Sequence, residues 1–182
     1  TNLSAAAGAT LAMITSWLKY GKADVSMTLN GALAGLVGIT AGTAAVNNIG
    51  AVVIGALAGV LIVYAVEFID HLHVDDPVGA VAVHGICGAF GTLAVGFFAL
   101  DGGLFYGGGA QLLMTQAKGV FGVFIWTFTT AYVLFKVIDA VIGLRVSREE
   151  ELEGLDSTEH GSVSYPDFVP LHWKNIKINK NE

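Results

Sequence analysis

Five apolar stretches, at about residues 3–18, 27–46, 51–69, 78–98 and 118–143, follow one another with short polar connections between them. A helix needs about 20 mostly apolar residues to cross a bilayer's hydrocarbon core. Each stretch therefore reads as a span, and the fold class as an all-α, polytopic transmembrane helical bundle. Residues 1–143 form its transmembrane domain and 144–182 a polar tail. A composition of 54% hydrophobic and 13% charged residues, with 24 glycines and a mean hydropathy of +0.66, argues against a soluble domain. The net charge of −6 belongs mostly to the tail, since 8 of the 15 acids and 5 of the 9 Lys and Arg residues lie beyond Gly143. No nucleic-acid partner and no enzymatic activity are expected. The single cysteine, Cys87, excludes an intrachain disulfide and a Cys-based metal site.

The fourth stretch carries one imidazole, His84, near its middle third. Ionisable groups at that depth are costly and mark functional sites by default. Helical spacing puts Ala80, Gly88 and Gly91 on or beside the face that carries His84, so small residues leave the imidazole accessible. A neutral imidazole can donate and accept a hydrogen bond, and so could receive a small polar solute. The alternative is a histidine that bonds a neighbouring helix and serves packing alone.

In the second stretch Gly31, Gly35, Gly38 and Gly42 recur at alternating spacings of four and three and share one face. Lipid is as apolar as the side chains, so close packing of small residues has to hold such helices together. Gly55 and Gly59 repeat the spacing of four in the third stretch. Glu67, Asp70, His71, His73, Asp75 and Asp76 crowd the connection to the fourth, but their spacing completes no recognisable metal-ligand set. Neither metal nor cofactor is expected. Asp75 or Asp76 is suited to cap the fourth span, with Pro77 in its first turn. The glycine-rich loop from Leu100 to Gly109 lacks the Gly-Lys-Ser/Thr ending of a phosphate loop and reads as a flexible extracellular connection. Phe121, Phe124, Trp126, Phe128, Tyr132 and Phe135 suit the fifth span to lipid or to a neighbouring subunit.

Lys19, Lys22, Arg145 and Arg148 fall on one side of the five spans, and Lys118 reads as the loop cation of the other. The excess of Lys and Arg makes the first side, with the C-terminus, cytoplasmic. Ser147-Arg-Glu-Glu150 has the form of a capping box, and Gly154 suits the residue just after a short helix. Leu144, Val146, Leu152 and Leu155 could seat that helix. Phosphate on Ser157 or Thr158, beside Glu159, would add charge among acids and could undock it. Pro166 to Glu182 reads as a mobile polar end.

Val74-Asp75-Asp76-Pro77 leading to Val83-His84-Gly85-Ile86-Cys87-Gly88 resembles the ammonium transporter family, the Amt/Mep/Rh proteins. Gly31 to Thr40 is similar to that family's eighth span, and Gly143 to Asp156 with His160-Gly161 to its cytoplasmic tail. The resemblance runs in order from about residue 3 to about residue 168. It implies an eleven-span homotrimer of a microbial plasma membrane, with one pore per subunit conducting ammonium, or methylammonium, as NH3 with or without a proton. It further implies that the chain is the C-terminal half of a longer product, with His84 matching the second of two facing pore histidines. Asn30 and Thr40 would then lie at or near the pore, and Asp76 would support its inner end. The tail would communicate between subunits, with a PII-type regulatory protein as a possible cytoplasmic partner. An ammonium sensor of the same fold is the second expectation. Where some members carry another aspartate two residues after the proline, this chain has Gly79.

Overall fold

The computed structural model describes residues 1–162. The expected polar end from Pro166 lies outside them. The described residues form helices joined by turns, with no strand among them: α1 at Asn2–Tyr20, α2 at Val25–Thr40 and α3 at Asn48–His71. A π-helical turn at Val81–Ile86 leads into α4 at Cys87–Phe98, followed by α5 at Gln111–Val141, α6 at Arg148–Glu153 and α7 at Leu155–Thr158. The backbone satisfies its own polar groups within each helix, as it must where no water can do so. α3, the segment Val81–Phe98 and α5 are long and apolar enough to cross a membrane, whereas α2 is a shorter apolar helix. At 16 residues and 1.5 Å per residue, α2 is about 24 Å long, because the chain leaves the helix at Ala41 and continues as turns through Val46.

The described residues divide into two compact units, one of Thr1–Thr127 and the other beginning at Phe128. In the first, glycine sets the packing. A β-carbon on Gly35 would lie 2.3 Å from the Ser4 carbonyl oxygen, and one on Gly55 would lie 2.2 Å from the same atom. A β-carbon on Gly59 would stand 2.2 Å from the carbonyl oxygen of Gly8. α1 is thus wedged against the bare backbones of α2 and α3, antiparallel to the first and parallel to the second. The buried Ser4 hydroxyl donates to the Gly35 carbonyl at 2.7 Å and ties α1 to α2. Gly91 of α4 meets Gly38 of α2 in the same way, a β-carbon on Gly91 falling 2.3 Å from the Gly38 oxygen. Ile39, Ile54, Ile62, Val63, Val83 and Cys87 fill the space between these backbone contacts.

Each end of the unit is tied by polar contacts. Lys19 Nζ donates to Glu67 Oε2 and stands 4.3 Å from the Tyr64 ring centroid, joining the ends of α1 and α3. At the opposite end the Leu100 amide donates to the Ala45 carbonyl at 2.9 Å. There, too, Asn47 Nδ2 lies 2.9 Å from the Tyr106 hydroxyl. α5 begins at Gln111, so Lys118 is inside a helix and not in the connection, which is a correction to the loop count. The connection from Leu100 to Ala110 carries no Lys or Arg. The second unit continues α5 and holds the capped α6. The Ser147 hydroxyl accepts from the Glu150 amide while Glu150 Oε2 accepts from the Ser147 amide at 2.9 Å. The α5 aromatics Phe121, Phe124, Trp126, Phe128, Tyr132 and Phe135 are exposed.

Candidate functional site

The site is built where α3 gives way to the π turn. α3 ends at His71, and His73 takes a positive φ of 56° that reverses the chain. Asp76 then organises the next helix from a distance. Its Oδ2 accepts the Val81 amide at 3.0 Å and the Ala82 amide at 3.3 Å, two of the first-turn donors that a helix cannot satisfy internally. The helix starts at Val81, so Pro77 is not in its first turn as expected. The intervening Gly79 has φ +71°, a left-handed backbone that interrupts helix and is cheap only for glycine.

Asn30 closes this turn from α2. Its Nδ2 donates to the Val78 carbonyl at 3.4 Å, and a β-carbon on Gly79 would lie 2.9 Å from the same nitrogen. Asn30, Asp70, Asp75, Asp76, Val78 and Gly79 are among the residues lining a cavity of about 260 Å³. Among the described residues its lining includes three carboxylates, Asp70, Asp75 and Asp76, and no Lys or Arg, which makes it an acidic cavity. Among the described residues no group of three or more His, Cys, Asp or Glu side chains could hold a metal ion.

His84 lies in the π turn and is exposed, as are Ala80, Val81 and Gly85, while Ala82, Val83 and Cys87 are buried. Gly91 is buried against Gly38 and does not share the face of His84. That expectation assumed α-helical spacing throughout, and the π turn breaks it. Thr40 is exposed at the far end of α2 from Asn30, its hydroxyl donating to the Leu36 carbonyl at 2.7 Å. Neither Thr40, Ala80 nor His84 is among the residues lining the cavity that holds Asn30 and Asp76. In the tail, Gly154 ends α6 with φ 95°, and Thr158 Oγ1 donates to the Gly154 carbonyl at 3.4 Å.

The sequence by itself marks no role for the Val78 carbonyl, and Gly79 stands out in it only as a departure from the family pattern. A glycine two residues after a proline, just before a helix, is the local signal that marks such a turn.

The sequence profile of the Ammonium Transporter Family matches residues 1–165. The chain is 45% identical to ammonium transporter Amt2 of Archaeoglobus fulgidus, over 93% of this chain and 38% of that protein. A solved structure titled Sensor Amt Protein superposes with a TM-score of 0.80 at 38% identity, covering 87% of this chain and 40% of that one. Mep2 of Saccharomyces cerevisiae does so with a TM-score of 0.73 at 28% identity, over 93% of this chain and 41% of its own. The chain therefore spans about two fifths of the length of these relatives.

Proposed function

The chain belongs to the ammonium transporter family, and from that premise we propose that it supplies part of a pore that moves ammonium across a cell membrane. It is a helical membrane protein. The observation that carries it is the acidic cavity at the start of a membrane-length segment that also bears one exposed imidazole, His84. A bare cation costs several kcal/mol or more in hydrocarbon, so ammonium gives up its proton before the apolar stretch and crosses as NH3. His84 serves as hydrogen-bonding pore liner and proton relay, with Ala80 leaving room beside it. Asn30 and Thr40 line the same path, and Asp76 supports its inner end. Residues 1–143 make the membrane domain and 144–182 the cytoplasmic tail, where Gly154 and Thr158 belong to a regulatory segment. The assembled protein is a plasma-membrane homotrimer surrounded by lipid, and a PII-type protein is the partner suited to its cytoplasmic face.

A second reading is an ammonium sensor, favoured by the likeness to the structure titled Sensor Amt Protein. Transient current after an ammonium pulse, in proteoliposomes carrying the native gene product, separates the two. A current that His84→Ala changes supports transport along His84. If intact assemblies give neither current nor uptake of labelled methylammonium, the sensing reading replaces it.

A further inference from the structure

In an unbroken α-helix, positions i, i+3, i+7 and i+10 share one face. His84, Cys87, Gly91 and Ala94 have that spacing. Cys87, Gly91 and Ala94 are buried against the neighbouring helices, yet His84 is exposed. It shares its exposure with Ala80 and Val81, four and three residues before it. The segment therefore has two registers offset from each other, and they are joined inside the π turn Val81–Ile86. A π turn closes its hydrogen bonds from i to i+5 and so accommodates one residue more than an α turn. One extra residue rotates the N-terminal side of the helix by about 100° relative to the C-terminal side.

We propose that this π turn is the positioning device of the pore: it swings His84 off the buried Cys87–Gly91–Ala94 stripe and onto the conducting face. Asp76 holds the device in place. Its carboxylate takes the Val81 and Ala82 amides at the first positions of the turn, where a helix has unpaired donors. Gly85, next to the imidazole, adds no side chain to the exposed face. The inference rests on the reading of His84 as a pore residue, but it concerns the ring's direction and can fail separately.

Two single-residue deletions on either side of His84 test it. Deleting Val81 closes the turn as α-helix with His84 in the register of Cys87, which sends the ring to the buried stripe. Deleting Gly85 also closes the turn but leaves His84 in the register of Ala80 and Val81. Exchange of the His84 C2 proton with deuterium, read by mass spectrometry on the native gene product in membranes, reports the ring's access to water. The Val81 deletion is expected to slow that exchange about tenfold or more, with the Gly85 deletion within about twofold of the unaltered protein. Equal exchange in the two deletions overturns the proposal. Slowed exchange in the Val81 deletion with undiminished ammonium conduction upholds the register inference and removes His84 from the path. If neither deletion assembles, an electron cryo-microscopy map of the unaltered protein decides: i to i+5 bonds over residues 81–86 support the proposal, and an α-helical course there overturns it.

Discussion

Gly59 of α3 rests on the carbonyl oxygen of Gly8 in α1, so closely that a β-carbon on Gly59 would lie 2.2 Å from it. Neither partner has a side chain that could rotate away. Gly59→Ala must separate two helix backbones, and overpacking of this kind typically costs about 1–3 kcal/mol. Thermal unfolding of the purified protein in detergent should show a clear loss. Gly122→Ala, at a position where a β-carbon would meet nothing within 4 Å among the described residues, should show none. Equal melting of the two variants would count against the glycine junction.

Asp76→Ala removes the acceptor of the Val81 and Ala82 amides. Losing a cap of this kind costs about 0.5–2 kcal/mol. The loss should be local: amide hydrogen exchange at Val81 and Ala82 should accelerate, while that of Ile54 and Ile62 in α3 stays as it was. Unchanged exchange at Val81 and Ala82 would show that the two bonds do not hold the helix start.

Gly79 and Asn30 should behave as a coupled pair. Gly79→Ala places a side chain at φ +71°, worth about 1–2 kcal/mol in left-handed backbone, and also displaces the Asn30 amide. Asn30→Ala relieves the second cost but not the first. In a double-mutant cycle the combined loss should be smaller than the sum of the two by about 0.5 kcal/mol or more. Strict additivity would mean that the two residues do not meet as described.

The tail helix should be sensitive to acid. Hydrogen bonds from the Ser147 hydroxyl and amide hold the Glu150 carboxyl below the usual range. A carboxylate whose folded value is depressed stabilises the helix above its unfolded value, and that stability is lost as pH falls through the folded value. NMR titration should find Glu150 titrating below the usual carboxylate range, with α6 fraying as it protonates. Ser147→Ala should return Glu150 toward the ordinary range and fray α6 at neutral pH. A titration unaffected by Ser147→Ala would remove the capping box as the cause.

Features that depend on local spacing or bulk solvent preference were legible in the sequence. Gly31, Gly35 and Gly38 announced a close-packed face because alternating intervals of four and three return to one side of a helix. Ser147 and Glu150 announced a helix start because a capping box is complete within four residues. The site was less legible, since its geometry comes from contacts distant in sequence. Asn30 reaches Val78 across 48 positions, and no periodicity records that. The assumption of 3.6 residues per turn put Gly91 beside His84, and the π turn separates them. Hydropathy places the start of α5 too late because Gln111, Thr115 and Gln116 are polar, although their backbone is helical.

The contact between Gly91 and Gly38 lies seven residues beyond His84, about 10 Å along the helix. With backbone against backbone there, the helix has no compliant material at that point and cannot be pushed sideways. It acts as a fulcrum. About that pivot, a disturbance at the Asp76 end reaches the imidazole as an angular displacement rather than a sideways shift of the whole helix.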